Sequence, residues 1–101
     1  MQKNKIYTYL GLAARARTMK AGEEAVLAAL KHKNAKLLII ADNASENAQR
    51  RWRFRAESFQ VPYITFGTQE EIGRAIGSSF KTIVSICDPD LARAILANID
   101  Q

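Results

Sequence analysis

The chain predicts an α/β protein, a three-layer α/β/α sandwich, and two observations carry that reading. Amphipathic stretches with apolar residues at 3–4 spacing alternate with short, continuous apolar runs. Capping residues, glycines and prolines fall at the changes between them. No internal repeat, low-complexity tract or linker composition interrupts the pattern, so residues 1–101 read as one domain.

Lys3 to Ala16 reads as the first helix, with Ile6, Tyr9, Leu10, Ala13 and Ala16 on one stripe. Gly22 to His32 is the second, burying Ala25, Val26, Ala29 and Leu30. Leu37–Ala41 is an apolar run too short for an independent helix and reads as a central strand covered on both faces. Ser45 is placed to cap a third helix, with Glu46 in its first turn and Ala48, Trp52, Ala56 and Phe59 turned inward. Val61–Phe66 is the next strand, Pro62 lying near its start where a missing N–H does least harm. Thr68 and Glu71 match a capping box, opening a short helix through Ile72, Ala75 and Ile76 that Gly77 closes. Thr82–Cys87 is the last strand. Asp88 then caps a final helix with Pro89 at its first position, Asp90 favouring the dipole, and Leu91, Ala94 and Ile95 inward.

Composition narrows the function. Apolar residues make up 48% of the chain, enough for an ordered core, and no apolar run reaches the roughly 18 residues of a membrane span. The start, Met1 to Ile6, lacks the apolar stretch of a signal peptide, so a cytoplasmic protein is expected. Cys87 is the sole cysteine and sits in an apolar run, which reads as a small buried hydrophobe. His32 has no partner at metal-ligand spacing, and Asp88 and Asp90 are accounted for by capping. No phosphate-loop lysine motif, Gly-x-Gly-x-x-Gly or Ser/His/Asp set is present. No cofactor, metal or catalytic residue is expected.

Charge is uneven. The net +5 divides as +6 over residues 1–36, +1 over 37–60 and −2 over 61–101. A basic half fits a polyanion partner bound through salt-screened attraction, or ordinary solubilising charge. Lys20 stands just ahead of the second helix, with Arg15 and Arg17 upstream. A helix start presents unpaired N–H groups and partial positive charge, and with cations beside it can take a phosphate or an acceptor-rich base edge. The plainer reading is that Gly22 merely starts a helix. Arg50-Arg51-Trp52-Arg53-Phe54-Arg55 interleaves cations and aromatics as a second candidate contact. Trp52 belongs to the core stripe, whereas Phe54 lies roughly 200° around the helix and is expected to be exposed.

In order, Leu10-Gly-Leu-Ala-Ala-Arg-Ala16, Gly22-Glu-Glu-Ala-Val26, Ala35-Lys-Leu, Asp42-Asn-Ala-Ser45, Val61-Pro-Tyr63 and Glu71-Ile-Gly-Arg-Ala-Ile-Gly77 resemble the kink-turn-binding ribosomal-protein superfamily, the "seven-Ae" family. The likeness is nearest to its small bacterial YlxQ-like branch and runs from about Ile6 to Ile95. It implies a mixed four-stranded sheet, no enzymatic activity, and RNA binding at one edge. The implied contact surfaces are the start of the second helix and the loop before the last strand. Here these are Lys20 to Glu24, and Gly77, Ser78, Ser79, Phe80 and Lys81.

The expected function is therefore that of a small ribosome-associated, monomeric protein that binds structured RNA of kink-turn type. Lys20, Gly22, Glu23 and Glu24 form the base-reading edge, Arg15, Arg17 and Lys36 meet phosphates, and Phe80 and Lys81 close the site. Phe80 can stack on an extruded base or fold over the sheet end. Strong kink-turn binders carry Asn-Glu and then Lys where this chain has Glu24, Ala25 and Ala28. An ionised Glu24 only accepts hydrogen bonds and the alanines make none, which lowers base discrimination. Arg17 stands where the branch commonly has glycine. The alternative is a protein-interaction module on the same scaffold, docking an acidic partner on the Arg-rich helix.

Overall fold

The structure is a computed structural model that describes residues 3–99; Met1, Gln2, Asp100 and Gln101, the ends of the expected 1–101 domain, lie outside the described residues. Five helices, α1 (Lys3–Ala16), α2 (Glu23–Lys31), α3 (Glu46–Ser58), α4 (Gln69–Ala75) and α5 (Pro89–Ile99), alternate with four strands, β1 (Met19–Ala21), β2 (Leu37–Ile40), β3 (Tyr63–Thr65) and β4 (Ile83–Ile86). The sheet runs β1-β4-β2-β3, with β2 and β3 parallel and both β4 pairings antiparallel. It is the mixed four-stranded sheet of an α/β/α sandwich.

The apolar runs are strands because both their faces are covered. Leu37 and Ile39 of β2 join Val84 and Ile86 of β4 against Ile6, Leu10, Ile72 and Ile95. Leu38, Ile40 and Ile83 face the other way, against Val26, Leu30, Trp52 and Ala56. The layers are thus α1, α4 and α5 on one side, and α2 and α3 on the other. The expected caps are in place: Ser45 accepts from the Ala48 N–H, Thr68 and Glu71 form the reciprocal capping box, and Asp88 accepts from the Asp90 N–H.

Two expectations are corrected. Ala16 is exposed at the end of α1, and Phe59 is 40% exposed instead of turned inward. Phe59 is the C-cap of α3, one residue past the last full turn, where the chain leaves the helix axis. The fourth strand, β1, has only three residues and lies at a sheet edge, too short to show a period.

Helices α1 to α4 end alike. After α1, the Arg17 N–H donates to Ala14 and the Thr18 N–H to Ala13, with Arg17 at φ 60°. The same pair of bonds recurs around Lys33, Gln60 and Gly77. This is a Schellman cap, whose left-handed residue is normally glycine. Arg17, Lys33 and Gln60 occupy it at a cost of about 1–2 kcal/mol each in local steric strain.

Candidate nucleic-acid interface

Strand β1 carries the chain from Arg17 across the sheet to Gly22. Its register opposes Met19 to Ile86 and Ala21 to Val84, and the Gly22 N–H donates to the Ile83 carbonyl. Gly22 caps α2 at φ 93°, ψ 160°, a conformation essentially restricted to glycine. No side chain caps this helix start, so its first-turn N–H groups face outward beside Glu23 and Glu24.

A groove of about 240 Å³ opens there, lined by Gly22, Glu23, Ala48, Arg51, Trp52, Phe80, Lys81, Thr82 and Ile83. It joins three segments far apart in sequence: the start of α2, one face of α3, and the loop before β4. Glu23 Oε1 lies 3.3 Å from Arg51 Nε and 3.6 Å from the nearer Arg55 guanidinium nitrogen. Arg55 in turn sits over the Trp52 ring at 4.6 Å. Trp52 is fully buried as core, yet its Nε1 has no hydrogen-bond partner among the described residues. An unpaired buried donor costs about 1–3 kcal/mol until an acceptor reaches it. Phe80 is 65% exposed, so it stands out from the loop and does not fold over the sheet end.

The Phe80 loop is held by residues that the sequence does not single out. A Cβ at Gly73 would lie 2.2 Å from the Ser79 carbonyl oxygen and 2.8 Å from the Phe80 Cα, so the loop backbone rests directly on α4. The Ser78 N–H donates to the Gly73 carbonyl at 2.8 Å. Gln69 accepts from the Lys81 N–H through its carbonyl and from the Thr82 hydroxyl through its side chain, while its own amide N–H donates to Asn43. The sole sequence signal was a glycine inside a helix, which costs helix stability and so asks for a packing reason.

The cations expected on one rim fall at two ends of the molecule. Lys36 donates its N–H to Ile86, and the Thr18 carbonyl, next to Arg17, accepts from Cys87. Both contacts are at the end of β4 opposite Ile83, where Gly22 sits. Arg15 ends α1 at that far end as well. Lys20 is exposed in the middle of β1, between the two ends. The physical reason is the strand that the sequence did not delimit: three extended residues move the chain by roughly 10 Å. The groove end instead carries exposed carboxylates, Glu24, Glu46 and Glu70, each in the first turn of a helix.

The Arg-rich stretch also divides. Arg51 lines the groove and Arg55 packs beneath Glu23, so both belong to the first site. Arg53 is half-buried and reaches toward the Gln49 side chain. Arg50 and Phe54 face solvent, Phe54 being 69% exposed. Gly77, Ser78 and Ser79 are exposed at the tip of the loop.

Comparison with known proteins places the fold in a family. The model of the ribosomal protein L7Ae/L30e/S12e/Gadd45 family matches residues 4–96. The chain belongs to this family. Within it, the chain is 29% identical over 94 residues to a Bacillus subtilis protein described as RNA-binding protein YlxQ, covering 93% of this chain and 94% of that one. It is 30% identical over 91 residues to the Enterococcus faecium protein of the same description, covering 90% and 87%. These relatives place the chain in the YlxQ-like branch of the family. Among solved structures, a Bacillus halodurans protein of unknown function superposes with a TM-score of 0.90 at 32% identity, over 96% of this chain and 98% of that one. A Giardia lamblia 15.5 kD RNA-binding protein shares the fold at a TM-score of 0.76 and 24% identity, over 95% and 82%.

Proposed function

We propose that the chain is a non-catalytic RNA-binding protein that holds structured RNA of kink-turn type in the groove between α2, α3 and the α4–β4 loop, acting as a cytoplasmic, ribosome-associated monomer. The observation that carries this reading is the convergence, in one groove, of uncapped helix N–H groups, Arg51, Lys81, an exposed Phe80 ring and the Trp52 side chain, whose buried Nε1 has no partner among the described residues. The RNA-binding description of the two YlxQ relatives supports it.

Each group has a fitting task. Phe80 offers a stacking face worth roughly 1–3 kcal/mol per base. Arg51 and Lys81 neutralise backbone phosphates, and Trp52 Nε1 donates to a base or phosphate acceptor that enters the groove. Glu24, exposed and in no ion pair among the described residues, accepts from a base amino or imino group. Irregular RNA suits such a groove because the A-form major groove is closed to side chains.

Gel shifts against kink-turn RNAs and rRNA fragments test the reading. Tight, sequence-dependent binding is expected, weakened in Arg51→Ala and Lys81→Ala with the salt slope lowered by about one for each lost phosphate contact. Arg17→Ala and Lys36→Ala, at the far end, should leave it nearly unchanged. Weak binding indifferent to sequence, or greater losses from Arg17 and Lys36 than from Arg51, would refute it.

A further inference from the structure

The far end of the molecule has a groove of its own, of about 410 Å³, lined by Leu30, Lys33, Ala35, Lys36, Phe59, Gln60, Val61 and Pro62. We propose that it is a docking site for an acidic peptide segment of a protein partner, with an apolar side chain in the groove and carboxylates on Lys33 and Lys36.

Three features converge on that occupant. The floor is apolar, and the Phe59 ring, 40% exposed, is the aromatic that left the core. The rim is cationic and, among the described residues, no acidic one lines it. Lys31, in the last turn of α2, serves the helix dipole, but Lys33 and Lys36 lie beyond the helix where that account does not reach. Lys36 Nζ is 3.5 Å from the Lys33 carbonyl, which holds the Lys36 ammonium group beside the Lys33 backbone at the rim. Finally, two of the three strained Schellman residues, Lys33 at φ 60° and Gln60 at φ 58°, form its walls. Glycine would relieve both, so side chains are kept there against a local conformational cost.

The lining favours a peptide over nucleic acid. A nucleobase needs donors and acceptors for its edge, and among the described residues Gln60 is the only uncharged polar side chain in the lining. An apolar side chain flanked by carboxylates meets both the floor and the rim. Electrostatic complementarity of this kind selects partners and speeds encounter.

Nuclear magnetic resonance titration of the whole chain tests the proposal, using the blocked hexapeptide Glu-Asp-Leu-Phe-Asp-Glu, a control with serines replacing its Leu and Phe, and a uridine decamer. The first peptide should shift the amides of Leu30, Lys33, Lys36, Gln60 and Val61, and bind at least about tenfold more tightly than the serine control. The double variant Lys33→Glu/Lys36→Glu should lose about tenfold or more. Lys33→Gly, which suits the backbone at that cap, should lose severalfold while remaining folded. The proposal is overturned if the peptide shifts nothing at the far end, if the serine control binds equally well, or if the uridine decamer is what shifts these amides.

Discussion

Glu23 Oε1 lies 3.3 Å from Arg51 Nε, so the first residue of α2 is tied to the middle of α3. This ion pair fixes one side of the groove and sets the height at which Arg51 is offered to a ligand. It also engages the carboxylate that the sequence assigns to base reading. In the proposed RNA complex, Glu23 is a positioning residue and Glu24 is the acceptor left for a base.

Replacing Glu23 with glutamine should therefore release Arg51 and remove a charge that repels phosphates. Affinity for RNA at low salt should rise about two- to fivefold, with the gain fading as salt screens it. Filter binding across a salt series would check this. A loss of affinity would mean that Glu23 itself accepts a proton from a base.

Gly73→Ala should displace the loop that carries Phe80, because its methyl group would overlap the Ser79 carbonyl, which is backbone and cannot swing aside. RNA affinity should fall by about tenfold or more, reflecting lost stacking of roughly 1–3 kcal/mol. The helical circular dichroism should persist, since alanine favours α4 itself. Paired measurement of affinity and dichroism separates loop displacement from unfolding.

Much of the architecture was legible because local and tertiary signals agree. The capping box at Thr68 and Glu71, the Ser45 cap, and the strands of β2 and β4 each follow from a few residues. The site was legible only in part. Gly22, Phe80 and Lys81 line one groove, and Phe54 is exposed as helix geometry required. Arg15, Arg17 and Lys36 stand at the other end of the sheet from Gly22, because proximity in sequence is not proximity in space and β1 is too short to announce itself. Gln69 and Gly73 were missed because their role is tertiary: Gln69 meets Lys81 and Thr82, and Gly73 meets Ser78 to Phe80, only after folding.

Arg17→Gly should stabilise the protein by about 0.5–1 kcal/mol, the relieved left-handed strain exceeding the extra freedom glycine gives the unfolded chain. Urea denaturation should show a higher midpoint at unchanged slope. Because Arg17 is remote from the groove, RNA affinity should hold, apart from a small electrostatic loss.

Tyr7 donates its hydroxyl to Glu71 Oε1 at 2.8 Å, and Lys3 stands 3.6 Å from the other carboxylate oxygen. The Thr68 N–H and the Tyr7 hydroxyl hold the Glu71 carboxyl below its usual range, while burial and that same bond push the Tyr7 phenol up. A lowered acid favours the fold above its unfolded pKa, so the Glu71 contribution should be lost as pH falls below about 4.3. The raised phenol favours the fold below its unfolded pKa, so its contribution should fade as pH rises beyond about 10. Thermal denaturation over pH should show both flanks, with Glu71→Gln flattening the acid side and Tyr7→Phe the alkaline side.

The Trp52 indole N–H is the most direct reporter of the groove, since its side chain lines the groove and its Nε1 has no partner among the described residues. Its proton resonance should move downfield on titration with a kink-turn RNA, together with the amides of Gly22 to Glu24 and of Phe80 and Lys81. An indole resonance that stays fixed while RNA shifts Arg17, Lys33 and Lys36 would contradict RNA binding in this groove.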